Sequence, residues 1–396
     1  MHAHCHDHTG ARIARLRRAR HLTQAQLADL AGLSMSIISK IEQGREPATP
    51  FVIAQVAAAL RVGVGEITGQ PYAEELRADE LDVLVRPIRE ALDVYDLGAD
   101  PDITPSSLDV LSSEAKRLCV QVRAGEIRRA GSDVAGLIQE ATTAAHQHGT
   151  TEGWNTLGSF FRTAYDVTTK LGYSDLAALS LTRMDWTAQR ASNAVVGGMY
   201  HYMRALTHLR EGQYRTGDRL VRLGLSVLEQ AEPTREQQVV TGQLHLGAAV
   251  MAGRAKNEDV AEGHLQEATR IAEGTGEAAE TYWLTFGPTN VKVHRVSVLA
   301  ELDKYGEVIE ASSFRLPADW PKSRISHHYA EVAQAQMREN QIDASFKSLV
   351  AARKAAPQQA KYHPTVRETY AALEAAHRRL PNSFLSYGSW LGPGAH

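Results

Sequence analysis

Histidine and cysteine are the first residues of this chain whose types invite chemistry. His2, His4, Cys5, His6 and His8 crowd the first eight positions. Alternating imidazoles with one thiol offer ligands for zinc, nickel or copper. They lack the paired, long-spaced partners of a closed zinc site, so residues 1–9 read as a solvated tail and no functional metal is expected. His146-Gln147-His148 and His327-His328 are isolated pairs. The chain holds no glycine-rich phosphate loop, no G-x-S-x-G and no H-E-x-x-H string. Neither an enzyme nor a cofactor is expected.

The basic residues are more informative. Between Gly10 and Ile67 stand eight cations (Arg12, Arg15, Arg17, Arg18, Arg20, Lys40, Arg45, Arg61) and four acids, a net of +4 in a chain whose total is −3. The remainder therefore carries −7. A small basic head on a large acidic body suggests that only the head meets a polyanion.

Short helices must position those cations. Ile13, Leu16 and Leu22 put an apolar stripe on a first helix whose other face is arginine. Thr23 caps a second helix over 24–31, with Leu27 and Leu30 turned inward. Gly32-Leu33-Ser34 is a tight turn in which glycine takes a positive φ and Ser34 caps a third helix over 35–43. That helix buries Ile38 and Ile41 and stops at Gly44. A fourth helix, 51–60, and a last turn at 64–67 complete the unit. Two helices joined by a glycine turn, the second showing small polar residues outward, make a helix-turn-helix.

The strings Leu22-Thr-Gln-Ala-Gln-Leu-Ala, Ala31-Gly-Leu-Ser, Ile38-Ser-Lys-Ile-Glu-Gln-Gly and Leu60-Arg-Val resemble the Cro/phage-repressor (xenobiotic-response-element) family. The resemblance covers residues 12–67 and implies double-stranded DNA as a partner. It places Ser34, Met35, Ser36, Ser39 and Lys40 on the DNA-reading face of the third helix. It assigns Gln24 to a phosphate contact, which a helix N-terminus favours, and Arg45 to another. It pairs Arg17 with Glu42 in a structural ion pair. Relatives carry Arg, Gln or Asn where this chain has Met35 and Ser36, so bidentate base contacts are missing and each half-site is read weakly. A homodimer would compensate.

Behind the head, 396 residues with 43% hydrophobic and 22% charged content describe a globular protein of more than one domain. Two cysteines exclude a disulfide framework, and the chain shows no membrane-length apolar run and no signal peptide, which places it in the cytoplasm. Residues 68–107, with Pro71, Pro87, Pro101 and Pro105, read as a linker with one helix. From 108 to 380 there are helices only, with self-similarity at about forty residues. Ala205, Gly217 and Gly224 are spaced by twelve and seven residues, as in the tetratricopeptide repeat. Gly247, Ala261 and Ala268 repeat the pattern with two residues inserted, and Ala333, Ser345, Ala352 and Pro357 without insertion. Leu171–Ser174, Gly212–Tyr214 and Lys304–Glu307 mark turns within repeats. Cys119 reads as a packed core residue, and 381–396 as a tail. The expected fold is all-α: a lambda-repressor-like head followed by an α-solenoid, whose stacked pairs bury what no single pair can.

A Cro-like head on degenerate tetratricopeptide repeats resembles the peptide-pheromone (quorum-sensing) receptor regulators of Gram-positive bacteria and the repeat-containing regulators of actinomycetes. That resemblance implies a peptide or small-molecule effector in the solenoid. Tyr165, Trp186, Asn193, Tyr200, His201, Trp283, Asn290 and Arg295 are its candidate contacts. The expected function is a dimeric, effector-controlled transcriptional regulator. The alternative is a helical-repeat adaptor that docks a partner protein and binds DNA only secondarily.

Overall fold

The computed structural model describes residues 8–69, 78–376 and 381–392. His2, His4, Cys5 and His6 of the His-rich start lie outside the described residues. His8 caps the first helix, its Nδ1 accepting from the Ala11 amide at 3.2 Å.

The head comprises α1 (Thr9–Ala19), α2 (Gln24–Ala31), α3 (Met35–Glu42), α4 (Pro50–Leu60) and α5 (Val64–Thr68). Its ends are built from local chemistry. Thr23 and Gln26 form a reciprocal capping box at the start of α2. Gly32 ends α2 in the left-handed region at φ 63°, and the Ser34 hydroxyl accepts from the Ile37 amide to open α3. Ile13, Leu27, Ile38, Ile41, Val56, Leu60 and Ile67 close one small core. Arg12 donates from Nε to the Ile67 carbonyl and from Nη2 to the Thr68 carbonyl, both at 2.7 Å, and so ties α1 to the C-terminus of α5. Gly10 lets α1 cross α3: a Cβ there would stand 1.8 Å from the Ile41 carbonyl oxygen.

The body is a stack of antiparallel helical hairpins with no strand among the described residues. It runs through α6 (Ala78–Asp93), α7 (Leu108–Ala124), α8 (Ile127–His148), α9 (Thr151–Leu171), α10 (Ser174–Arg190), α11 (Ala194–Arg210), α12 (Tyr214–Glu229), α13 (Arg235–Arg254) and α14 (Glu258–Thr275). After a strap at 276–287 come α15 (Pro288–Glu301), α16 (Tyr305–Ala311), α17 (Lys322–Arg338), α18 (Ile342–Ala355), α19 (Pro357–Tyr362), α20 (Pro364–Ala376) and α21 (Asn382–Leu391). Helices α9 and α10, α11 and α12, α13 and α14, and α17 and α18 are the main hairpins. No helix of the described residues is long and apolar enough to cross a membrane.

The small residues picked out by spacing sit where helices meet. A Cβ on Gly217 would stand 2.3 Å from Met251 Sδ, and one on Gly224 3.1 Å from both His201 and Leu244. Ala205, Ala261, Ala268, Ala333, Ser345 and Ala352 are fully buried. The helix expected within the linker and the stretch expected as a tail both contribute to the core. In α6, Val85, Ile88, Ala91 and Leu92 are buried within the main core of the body. Pro87 stands inside this helix without ending it, because its neighbours' apolar face is fixed by packing on α8. The expected tail likewise contains α21, whose Phe384, Tyr387 and Leu391 pack with Tyr370 and Leu349.

The head is seated on the body. The Thr9 hydroxyl donates to Glu368 Oε1 at 2.7 Å. Arg338 on α17 pairs with Glu46 at 2.8 Å and donates to the Pro47 carbonyl at 2.9 Å. The turn at Gly212 abuts α4 so closely that a Cβ would stand 2.4 Å from that of Ala54.

Candidate nucleic-acid interface and cavity

Helix α3 presents Ser34, Met35, Ser36 and Lys40 to solvent, with Ser39 half-buried and Arg45 exposed just beyond. Met35 is 56% exposed, unusual for so apolar a side chain. Ser39 Oγ accepts from Gln43 Nε2 at 3.0 Å. Lys40 Nζ stands 3.5 Å from Glu46 Oε2, and the other oxygen of Glu46 holds Arg338. The cation on the outward face is thus linked through one carboxylate to the body.

Beneath this face lies a buried clamp. Arg17 meets Glu42 through two bonds, Nε to Oε1 at 2.7 Å and Nη2 to Oε2 at 2.8 Å. Arg17 Nη1 donates to the Leu22 carbonyl at 2.7 Å. Burial alone would push the Glu42 carboxyl up, but bonds from Arg17 and Gln24 hold it below its ordinary range. Gln24 Nε2 donates to Glu42 Oε2 at 2.8 Å, so its side chain braces the clamp here.

The body holds a second feature, a cavity of about 570 Å³ between α7, α9, α11 and the strap, within the range of small-molecule sites. Ser112, Ala115, Lys116 and Cys119 share one face of α7, and Thr151, Asn155, Ser159 and Arg162 one face of α9. Met184, Val196 and Met199 give an apolar wall, and Tyr282 and Trp283 of the strap the remaining side. Asn193 caps α11, its Oδ1 accepting from the Val196 amide at 3.1 Å, and its Nδ2 donates to Asn155 Oδ1 at 3.0 Å. Cys119 is half-buried beside the cavity rather than packed in the core; burial pushes its thiol up.

The strap is held by arginines. Tyr282, Trp283 and Thr285 adopt left-handed backbone at φ 45°, 55° and 60°, a conformation that L side chains resist. Arg123 donates to the Trp283 carbonyl at 2.8 Å and to Thr285 Oγ1 at 2.6 Å. Arg162 Nη1 donates to the Tyr282 carbonyl. Burial, with Arg324 and Arg162 nearby, pushes the Arg123 guanidinium down to about 10. Arg162 Nε is buried with no hydrogen-bond partner among the described residues.

Of the eight effector candidates read from sequence, Asn193 and Trp283 line this cavity and the other six do not. Tyr165 is buried core, its hydroxyl 3.4 Å from the Met203 carbonyl. Trp186 stacks edge-on with Tyr95 and Trp154. Tyr200 and His201 lie together on α11, Tyr200 accepting from Arg204. Asn290 is fully buried and donates to Gln243 at 3.3 Å. Arg295 forms a two-bond pair with Glu262. Sequence reasoning missed Lys116, Asn155, Arg162 and Tyr282. Only the spacing of Asn155, Ser159 and Arg162 along one face of α9 could have signalled two of them, Asn155 and Arg162; no local pattern marks Lys116 or Tyr282.

Residues 8–68 match the model of a helix-turn-helix domain. No curated protein and no solved structure matches the chain.

Proposed function

We propose that this chain is a cytoplasmic, dimeric, sequence-specific DNA-binding transcriptional regulator, controlled by a peptide or small molecule held in its helical body. The head is a helix-turn-helix domain, the unit that lays its second helix in the major groove. One observation carries the control reading: Lys40, on the outward face of that helix, is joined through Glu46 to Arg338 of the body. A shift of α17 would therefore reach a group that touches DNA. An effector works through it only by favouring one of two arrangements of head and body. Dimerisation is supported by the reading face itself, since Met35 offers apolar contact only and one head reads weakly.

The test is selection of a DNA site from a random pool by the full chain, followed by fluorescence anisotropy at fixed salt. Lys40→Ala should weaken the selected site by about 1–3 kcal/mol if it reads a base. Sedimentation on the selected site should show two chains per duplex, and fractionated small-molecule extract should change the affinity. Wild-type affinity in the variant would overturn the docking mode. One chain per duplex would overturn the dimer. Affinity indifferent to every fraction, with one protein captured stoichiometrically by the body, would favour the adaptor.

A further inference from the structure

The cavity has a chemical character that narrows its occupant, an argument that rests on the effector reading above. We propose that it takes a drug-sized amphipathic organic anion, its apolar part against Met184, Val196 and Met199 and its acidic group on Arg162.

Three observations carry this. Arg162 lines the cavity with a buried, unpartnered Nε, and a buried donor left unmade costs free energy that an acceptor would recover. Cations outnumber carboxylates around it. Arg123 and Arg324 stand close enough to repel each other, and Asp166 is the carboxylate beside Arg162. Lys116 adds an exposed cation at the rim, with no ion pair among the described residues. The lining also contains Glu152, which would repel an anion. It is exposed and ten residues before Arg162 on the same helix, about 15 Å away at 1.5 Å per residue, beyond the screening length of physiological salt. The charged groups of the lining are thus two cations, Arg162 and Lys116, and one carboxylate distant from Arg162. A carboxylate, sulfonate or phosphate could meet the Arg162 fork there, while the methionines, adaptable in shape, accept the apolar part. Arg162 also donates to the Tyr282 carbonyl of the strap, so an anion arriving there would compete with one of the bonds that hold the strap, beside the two from Arg123.

The experiment uses the full chain and 8-anilinonaphthalene-1-sulfonate, an apolar body bearing one sulfonate, with unchanged near-ultraviolet dichroism excluding a loosened state. Saturable binding of one dye per chain is expected. Arg162→Met should weaken it about 10- to 100-fold, the range for a hydrogen bond to a charged group. Binding of neutral Nile red should remain. On the unaltered protein, octanoate should displace the sulfonate dye at least tenfold more effectively than octanol, so the proposal stays testable if the variant does not fold. Equal displacement by the two, equal dye affinity in the variant, or no saturable binding would each overturn it. DNA plays no part in this readout. Anion binding without any change in DNA affinity would leave this inference standing and remove effector control; control by a cationic or neutral extract component would do the reverse.

Discussion

Replacing Glu42 by glutamine tests whether the Arg17 clamp holds the head together. The two side chains are 10% and 4% exposed, and Glu42 receives three hydrogen bonds, two from Arg17 and one from Gln24. Glu42→Gln leaves a buried guanidinium facing one amide oxygen and the Leu22 carbonyl. Breaking a buried pair by removing one charge costs about 3–5 kcal/mol. Glutamine keeps one acceptor, so the lower end applies, about 3 kcal/mol, or about a hundredfold in the opening equilibrium. Amide hydrogen exchange of the full chain reads this directly: peptides from α1 to α3 should lose about two decades of protection. Peptides from α9 to α13 should not change, because they belong to a separate core. The sign with pH follows from the depressed carboxyl. Its charge-dependent stabilisation is present above the ordinary value of 4.5 and is lost as pH falls through the lower folded value. The gap between wild type and variant should therefore narrow as the medium is acidified below that value. Protection within threefold of wild type at neutral pH would refute the reasoning.

Other consequences concern the seating of the head and the packing of the body. Arg338→Ala removes bonds to Glu46 and Pro47 at about 1.5–3 kcal/mol for the charged contact; exchange over 44–50 should accelerate at least tenfold while α9 to α13 stay protected. Glu368, which meets Thr9, is pushed up to about 7 by burial. A raised folded value means its contribution is full below 4.5 and lost as pH rises through 7. The melting temperature of wild type should fall relative to Glu368→Gln between pH 5 and pH 8, and parallel curves would contradict this. Gly242→Ala would place a Cβ 2.1 Å from the Phe286 ring, an overpacking cost of about 1–3 kcal/mol, seen as a melting point lowered by about 2–4 °C per kcal/mol.

Much of the head was legible in sequence because its determinants are local. Thr23, Gly32 and Ser34 act on backbone groups within three or four residues, so cap, turn and cap can be read in order along the chain. The repeat spacing of Ala205, Gly217 and Gly224 was legible for a related reason: a hairpin crosses itself at fixed register, and small residues mark the crossing. Pro87 leaves the helix expected there in place, because a proline forbids one backbone bond but cannot by itself overrule an apolar face packed on α8. The aromatic candidates show where sequence chemistry alone cannot place a side chain. Tyr165 and Trp186 have the right chemistry for an effector site, yet burial in the core and stacking on neighbours absorb them.

The chain alone therefore determined that a basic helix-turn-helix head precedes an all-helical body, since caps, turns and hydrophobic period are short-range properties. Tertiary structure decided what those parts enclose and how they touch. Arg338 meets Glu46 across 292 positions and Arg162 meets Tyr282 across 120. No local rule relates residues so distant. Their proximity follows from the stacking of hairpins, which returns α17 to α7 and sets Arg162 in the wall of a cavity.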